Sequence, residues 1–298
     1  MQALVTGAAG FVGRHLCPRM TSAGWQVCAV DRDLDVRDYA AVEARVAELA
    51  PQAIVHLAAQ SSPALSLSAP EESIRINFLG TCHVLEAAAR RAPRARVVLI
   101  GSGEQYGPAA PGAAAWIESA PFRPGTPYAR SKACADLLGA HYAARGLDVV
   151  RVRAFNHSGP GQSDTFVLPS FARQAAEIAQ GRRAPVFSVG NLDAVRDFLD
   201  IDDVVDAYLR LLDPRVPTAA YNVASGVGRR IGTLLDLLRQ EAGIEARIEV
   251  DPARVRPADV SVGDASRLRA ATGWAPRVPF EISLRRVLDD WRARVAAA

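Results

Sequence analysis

The chain has 298 residues, of which 49% are hydrophobic and 22% charged, and its 35 basic and 32 acidic side chains give a formal net charge of +3. This composition is typical of a globular protein with a sizeable core, and the length favours two domains or one large α/β unit with an appended lobe. So small a positive excess, without a Lys/Arg block, argues against a nucleic-acid partner. No apolar run approaches the ~18 residues of a membrane span, and the first residues pass directly into a strand. We therefore expect a cytoplasmic protein with no signal peptide and no membrane partner.

The four cysteines show no spacing typical of metal ligands: Cys17, Cys28, Cys82 and Cys134. Each lies in a segment that reads as helix or strand, so we expect buried free thiols and no metal site. Their usage is typical of a reducing compartment.

The first half of the chain alternates short apolar runs with helical stretches. The predicted strands are residues 3–5, 27–30, 53–57, 97–100 and 148–153. The predicted helices are residues 11–23, 39–49, 71–91 and 128–145. Strands without polar alternation, separated by helices, predict a parallel sheet covered on both faces, which is a doubly wound α/β (Rossmann) fold.

The pattern loosens after Asn156, where proline and glycine become frequent. Further elements are predicted as a helix at 168–180, a strand at 185–189 and a helix at 201–212, and residues 107–125 are predicted as a surface loop beside the site. We expect a dinucleotide-binding domain over residues 1–155, with return elements from about 192–224, and a smaller C-terminal α/β substrate-binding lobe mainly within 156–298.

A glycine turn, Gly7-Ala8-Ala9-Gly10-Phe11-Val12-Gly13, follows the first strand and opens a helix. Glycine permits a tight turn and lets backbone N–H groups approach a diphosphate. Asp31 ends the second predicted strand, where a carboxylate can accept hydrogen bonds from an adenosine ribose. The sequence therefore predicts dinucleotide binding rather than a purely structural turn.

The choice between NADH and NADPH stays open at this point. Asp31 favours an unphosphorylated ribose, because a 2′-phosphate would meet a like charge. Arg32 can pair with that phosphate, or it can be a solvated surface arginine.

Tyr128 and Lys132 lie four residues apart at the start of a predicted helix, in the segment Tyr128-Ala129-Arg130-Ser131-Lys132. This spacing puts a phenol and an ammonium on one helix face. A nearby cation stabilises phenolate, so we expect Lys132 to lower the pKa of Tyr128 towards working pH and the tyrosine to act as an acid/base catalyst. A surface pair would be the alternative in another fold.

A polar cluster, Ser102-Gly103-Glu104, follows the predicted strand that ends at Ile100. The carboxyl edge of a parallel sheet is where such folds bind ligands. We expect Ser102 to hydrogen-bond the reacting oxygen. Glu104 can be a catalytic carboxylate, a hydrogen-bond acceptor for the substrate or a loop residue.

These motifs resemble the extended short-chain dehydrogenase/reductase superfamily over essentially the whole chain. The resemblance is carried by the glycine turn, by His56-Leu57-Ala58-Ala59, by Asn77, by Ser102 and by the Tyr128–Lys132 motif. Three segments of the second half, 153–162, 189–198 and 256–260, look like the GDP-mannose branch, and within it like GDP-4-keto-6-deoxy-D-mannose reductases. The resemblance implies a homodimer that uses NADPH or NADH to reduce a GDP-linked 6-deoxy-4-keto sugar to GDP-D-rhamnose, with Tyr128 as proton donor.

The resemblance also assigns site residues. The catalytic set is Ser102, Glu104, Tyr128 and Lys132. The cofactor set is Gly7, Gly10, Phe11, Val12, Gly13, Asp31, Arg32, Asp35, Val36, Leu57, Ala58, Ala59, Asn77, Tyr128 and Lys132. The substrate set is Gln60, Ser102, Gly103, Glu104, Asn156, Val167, Phe171, Asn191, Arg196, Arg256 and Asp259, with Arg196 at the diphosphate and Arg256 with Asp259 at the nucleoside.

Alternatives remain for several of these assignments. Arg196 can instead pair with Asp193 or Asp197, and His157 can be a packed or hydrogen-bonded histidine. Glu104 occupies the position of the eliminating glutamate in GDP-mannose 4,6-dehydratases, which keeps a dehydratase open beside a 4-epimerase and a non-catalytic dinucleotide sensor. Against the dehydratase, this chain is shorter and lacks the arginine- and serine-rich loop that those enzymes carry after their second strand.

Overall fold

The computed structural model describes residues 1–110, 112–252 and 259–297. A six-stranded parallel sheet with the order β2-β1-β3-β4-β5-β9 organises the chain. Its strands are β1 (Gln2–Thr6), β2 (Gln26–Val30), β3 (Ala53–His56), β4 (Arg96–Ser102), β5 (Val149–Ala154) and β9 (Ala220–Val223). The chain leaves β1 towards β2 and returns on the other side as β3, so the carboxyl ends of β1 and β3 flank the point where the winding direction changes, which is where such sheets bind ligands.

Helices cover both faces of this sheet. They are α1 (Phe11–Ser22), α2 (Tyr39–Leu49), α3 (Pro63–Ser68), α4 (Pro70–Ile74), α5 (Gly80–Arg91), α6 (Pro127–Ala144) and α8 (Ile201–Leu211). One apolar cluster joins the sheet to α1 and α8, and a second joins the opposite face to α2 and α5. Because β1 and β3 are buried on both faces, their sequences are continuous apolar runs.

The second half of the chain builds a smaller lobe. Its elements are β6 (Asn156–Ser158), α7 (Val167–Ala179), β7 (Val186–Val189), β8 (Val195–Asp200), β10 (Gly228–Arg230), α9 (Ile231–Ala242), β11 (Arg247–Val250), β12 (Val260–Ser261), α10 (Ser266–Thr272) and α11 (Phe280–Ala297). A third apolar cluster, formed by α7, α9 and α11 with β7 and β8, is the core of this lobe.

The doubly wound α/β fold is confirmed, and the predicted elements of the first half recur with ends shifted by a few residues. The helix predicted over 71–91 is interrupted by a π-helical turn at Arg75–Leu79 between α4 and α5. Residues 107–110 and 112–125 form loop structure, as expected, with bridges at Ala109 and Trp116 to the β12 region. The sequence pattern predicted no individual strand for β6 or for β8 to β12, and no individual helix for α3 or for α9 to α11.

The thiols are free, but the expectation that all four are buried is wrong. Cys134 is exposed on α6, and Cys17, Cys28 and Cys82 are half-buried. The error arises because a helix or strand assignment does not say which face a residue occupies. None of the helices in the described ranges combines the length and the apolar character that a membrane span requires.

Candidate active site

A cleft of about 860 Å³ runs along the carboxyl edge of the sheet. Its walls come from the turn after β1, the ends of β2, β3 and β4, the start of α6, and the segment that follows β5. The cleft therefore joins the predicted dinucleotide turn to the Tyr128 helix. It also reaches the small lobe through Asn156 and Arg196.

The glycine turn forms one end of the cleft. Gly7 has φ +70°, and a Cβ at this position would lie 2.6 Å from the backbone nitrogen of Ala58, so only glycine fits there. Gly10 is the N-cap of α1 and supplies no capping side chain. The first N–H groups of α1 thus face the cleft with the positive end of the helix dipole, an arrangement that fits the diphosphate of a dinucleotide.

The end of β2 brings three charged residues to the cleft: Asp31, Arg32 and Asp33. The Asp31 carboxylate accepts a hydrogen bond of 3.0 Å from the backbone N–H of Ala9, which fixes it beside the glycine turn. This position suits a carboxylate that binds ribose hydroxyls. Arg32 is exposed at the rim, where a guanidinium can reach an added phosphate.

Ser102 ends β4 and begins a short 3₁₀ turn, Gly103–Tyr106. The Ser102 hydroxyl accepts from the backbone N–H of Glu104 at 3.2 Å, and the Ser102 N–H donates to the Gln105 side chain at 2.9 Å. The turn is therefore closed at both ends, which holds the serine hydroxyl in the cleft wall.

Tyr128 and Lys132 lie on the first two turns of α6, which begins at a Thr126 cap followed by Pro127. Both side chains line the cleft and are less than one-tenth exposed. The Lys132 ammonium donates to the carbonyl of Ile100 at 2.8 Å, which ties the helix to β4. The two groups that the sequence paired thus share one wall of the cleft.

The expected lowering of the pKa of Tyr128 by Lys132 is wrong for this structure. Burial raises the pKa of Tyr128 well above its usual value, the charge of Glu104 raises it further, and a hydrogen bond with Ser102 lowers it only in part. Burial lowers the pKa of Lys132 to about 8. Burial is the largest effect on both groups, so Tyr128 holds its proton at neutral pH.

A buried polar network supports the Ser102 turn from behind. Gln105 is fully buried, and its amide donates to the Asp136 carboxylate at 3.3 Å. Arg153 donates two hydrogen bonds to the same carboxylate, at 2.9 and 3.1 Å, and Arg151 donates one at 3.0 Å. Asp136 lies one turn beyond Lys132 on α6, so this network connects β4, β5 and the helix that carries Tyr128.

The far end of the cleft is formed by β6 and β8. Arg196 forms an ion pair of 2.6 Å with Asp259, so its partner is neither Asp193 nor Asp197. His157 donates from Nδ1 to the Phe155 carbonyl at 3.0 Å, and its ring stacks on Phe11, in agreement with a packed and hydrogen-bonded histidine.

Some assigned residues lie outside the cleft walls. Asp35 pairs with Arg37, and Val36 packs under Gly80 of α5. Asn77 is buried behind the cleft, where it holds the backbone of Gln60 and the hydroxyl of Ser131. The other residues that do not line the cleft are Gln60, Val167, Phe171, Asn191 and Asp259.

Two of these residues have clear structural reasons for their positions. Phe171 belongs to the core of the small lobe, because α7 turns this face towards α9 and α11. Asp259 is engaged by Arg196. Arg256 lies outside the described residues.

The cleft also includes residues that belong to none of the three assigned sets: Ala9, Asp33, Ser61, Pro63, Ile100, Gly101, Ala154, Phe155, His157, Gln162, Phe166, Tyr208 and Ser261. Ile100 and Ala154 could have been found, since they end strands of a parallel sheet. Tyr208 lies in α8, far along the chain from the motifs, and its sequence carries no signal of a site.

Known proteins include sequences and solved structures that are similar to this chain. Residues 3–224 match the model of the NAD dependent epimerase/dehydratase family. The chain is 40% identical to a GDP-6-deoxy-D-mannose reductase of Pseudomonas aeruginosa over 98% of this chain and 97% of that protein. It is 31% identical to GDP-mannose 4,6 dehydratase 2 of Arabidopsis thaliana over 86% of this chain and 70% of that protein. The solved structure of RMD from Pseudomonas aeruginosa complexed with NADPH matches with a TM-score of 0.90 and 37% identity, over 98% of this chain and 99% of that one.

Proposed function

The chain belongs to the NAD dependent epimerase/dehydratase family, and from this premise we propose that it is an NAD(P)H-dependent oxidoreductase. The proposed reaction reduces the 4-keto group of GDP-4-keto-6-deoxy-D-mannose to give GDP-D-rhamnose. The observation that carries the proposal is the buried Tyr128 phenol, which lines the cleft and hydrogen-bonds Ser102. The similarity to a GDP-6-deoxy-D-mannose reductase over nearly the whole chain supports the substrate class.

The chain's residues supply the proton and the orientation for this reaction. When bound, the reduced nicotinamide supplies the hydride that reaches carbon 4 of the sugar. Tyr128 donates its proton to the oxygen of that carbon as negative charge develops there. The Ser102 hydroxyl orients the same oxygen, and the Lys132 ammonium, one helical turn from Tyr128, stabilises the phenolate that remains.

The protonation state of Tyr128 suits this direction of reaction. A phenol that keeps its proton at neutral pH is ready to act as an acid, whereas oxidation of an alcohol would require the phenolate.

The cofactor in this proposal is NADPH or NADH. Gly7, Gly10 and the start of α1 would hold the diphosphate, and Asp31 would hold the adenosine ribose. Arg32 at the rim would pair with a 2′-phosphate, and the similar Pseudomonas structure was solved with NADPH.

We also propose a division of the chain into two parts. We assign cofactor binding to residues 1–155 with the return elements at about 192–224, because β9 completes the sheet under the cleft. Substrate binding is assigned mainly to residues 156–298, which carry Asn156 and Arg196 at the far end. Arg196 would bind the diphosphate of the sugar nucleotide, and Asp259 would hold Arg196 in place.

A homodimer is the proposed assembly. Apolar side chains are exposed on the segment from α4 to α5 and on α6, at Ile74, Leu79 and Leu137. Helices that pack on the same helices of a second copy would cover these side chains. Light scattering of the purified protein, with an expected mass of two chains, tests this assembly.

The function is tested by absorbance at 340 nm with GDP-4-keto-6-deoxy-D-mannose and either NADPH or NADH. We expect stoichiometric loss of the reduced cofactor with formation of GDP-D-rhamnose. The Tyr128→Phe variant should bind the cofactor normally and turn over at least ~10²-fold more slowly, because the general acid is lost. Near-normal turnover of this variant would remove Tyr128 from the mechanism.

A second candidate function, GDP-mannose 4,6-dehydration, is favoured by Glu104 in the cleft next to Tyr128. In that reaction the sugar would give hydride to the oxidised cofactor and take it back within one cycle. GDP-mannose with NADP⁺ or NAD⁺ separates the two: dehydration without net change at 340 nm would favour the dehydratase, and no consumption of GDP-mannose would favour the reductase.

A further inference from the structure

Tyr208 lies on α8 with its side chain fully buried, yet it borders the cleft. Long side chains on a helix point towards the helix N-terminus, and here that end faces the carboxyl edge of the sheet. The Tyr208 ring belongs to the apolar cluster between the sheet, α1 and α8, whose members next to the cleft include Val12 and Ile100. The ring is therefore held by packing at the floor of the cleft.

The Tyr208 hydroxyl has no hydrogen-bond partner within the described part of the chain. Two other fully buried tyrosines differ: the Tyr106 hydroxyl donates to Asn222 at 2.7 Å, and the Tyr221 hydroxyl donates to the Pro217 carbonyl at 2.8 Å. A buried polar group without a partner destabilises the fold, and phenylalanine would fill the same space without that cost. An unpartnered hydroxyl at the edge of a cleft thus points to a ligand that completes its hydrogen bond.

The position of Tyr208 selects one half of a dinucleotide. Asp31 and Arg32, which mark the adenosine end, follow β2 at one edge of the sheet. Tyr208 packs instead in one cluster with Ile100 of β4 and Ala154 of β5, both of which line the cleft. In agreement with this position, charge on the Tyr128 phenol raises the pKa of Tyr208. This is the end of the cleft where the reacting half of the cofactor must meet Tyr128.

We propose that the Tyr208 hydroxyl hydrogen-bonds the nicotinamide half of the bound dinucleotide, directly or through one ordered water, and so helps to set the position of that ring beside Tyr128. The proposal rests on the cofactor assignment made above. It gives Tyr208 a binding role that is separate from the chemistry of Ser102 and Tyr128. The proposal predicts that the hydroxyl destabilises the free protein and strengthens the binding of the cofactor.

The test compares Tyr208→Phe with the wild-type protein by isothermal titration calorimetry. Loss of one hydrogen bond should weaken NADPH and NADH binding about 3–10-fold. ADP-ribose and its 2′-phosphate, which lack nicotinamide, should bind with unchanged affinity. The melting temperature of the free Tyr208→Phe protein should stay the same or rise by about 1–3 °C, since an unpartnered group has been removed.

Tyr221→Phe is the matched control, because it removes a buried hydroxyl that has a protein partner far from the cleft. It should lower the melting temperature and leave all four affinities unchanged. The proposal would be overturned if Tyr208→Phe bound NADPH and NADH as tightly as the wild type does. It would also be overturned if the variant lost ADP-ribose affinity by the same factor as NADPH affinity. If the wild-type protein bound neither NADPH nor NADH, the cofactor assignment itself would fail, and that outcome is read from the wild type alone.

Discussion

Asp136→Asn tests whether the buried network behind Ser102 holds the fold together. The Asp136 carboxylate is 2% exposed and accepts from Arg153, whose side chain is 5% exposed, and from Arg151. Loss of the carboxylate charge would leave the Arg153 guanidinium buried without compensation, which costs about 3–5 kcal/mol. A protein of this kind has about 5–15 kcal/mol of stability in all, so the variant should melt roughly 10 °C below the wild type.

The control for this prediction is Asp213→Asn, which breaks an ion pair whose arginine, Arg215, is 89% exposed. Surface pairs contribute about 0–1 kcal/mol, so this variant should melt within about 2 °C of the wild type. Differential scanning calorimetry of the cofactor-free protein compares the two. Equal melting temperatures for Asp136→Asn and Asp213→Asn would refute the reasoning. The double variant Asp136→Leu/Arg153→Met should recover part of the loss, because no buried charge is then left alone.

Three further predictions concern the cleft itself. Because burial lowers the pKa of Lys132 to about 8, kcat/KM should fall as the pH rises through about 8, and a pH profile of Lys132→Met should lack this limb. Below about pH 8 the buried, charged Lys132 destabilises the native state. Between about pH 8 and pH 10.5 the native state has lost this proton and the unfolded state still holds it, so the stability of the wild type rises with pH. The melting temperature of the wild type should therefore increase relative to that of Lys132→Met over this range. Gly7→Ala places a Cβ against Ala58 at φ +70°, so calorimetric titration should show at least about tenfold weaker NADPH binding, and wild-type affinity would contradict the assigned turn.

The sequence predicted the elements whose physical signals are local. The run at residues 3–5 is apolar because both faces of β1 are covered, and the glycines after the strand are required by the turn geometry. The spacing of Tyr128 and Lys132 placed both on one wall of the cleft. For these residues the local pattern and the tertiary structure impose the same requirement.

Long-range packing decided what the sequence did not predict. The pKa of Tyr128 depends on how deeply α6 is buried, which no spacing reveals. Arg196 pairs with Asp259, 63 residues away, in preference to its acidic neighbours. Phe171 and Tyr208 look alike in sequence as aromatic residues of amphipathic helices, yet one is core and the other borders the cleft.

The return of β9 to the sheet has a consequence for how the chain folds as it leaves the ribosome. Until Ala220–Val223 emerges, β5 is the outermost strand, and the backbone edge that later pairs with β9 is open. This strand also carries the apolar side chains of Val149, Val150 and Val152. Sixty-nine residues separate the end of β5 from the end of β9, so this apolar edge stays open for about 3–14 s of synthesis. An open edge of this kind pairs readily with other chains. We expect truncated products that end before residue 220 to aggregate and to need chaperone protection, although they contain the entire glycine turn and the Tyr128 helix.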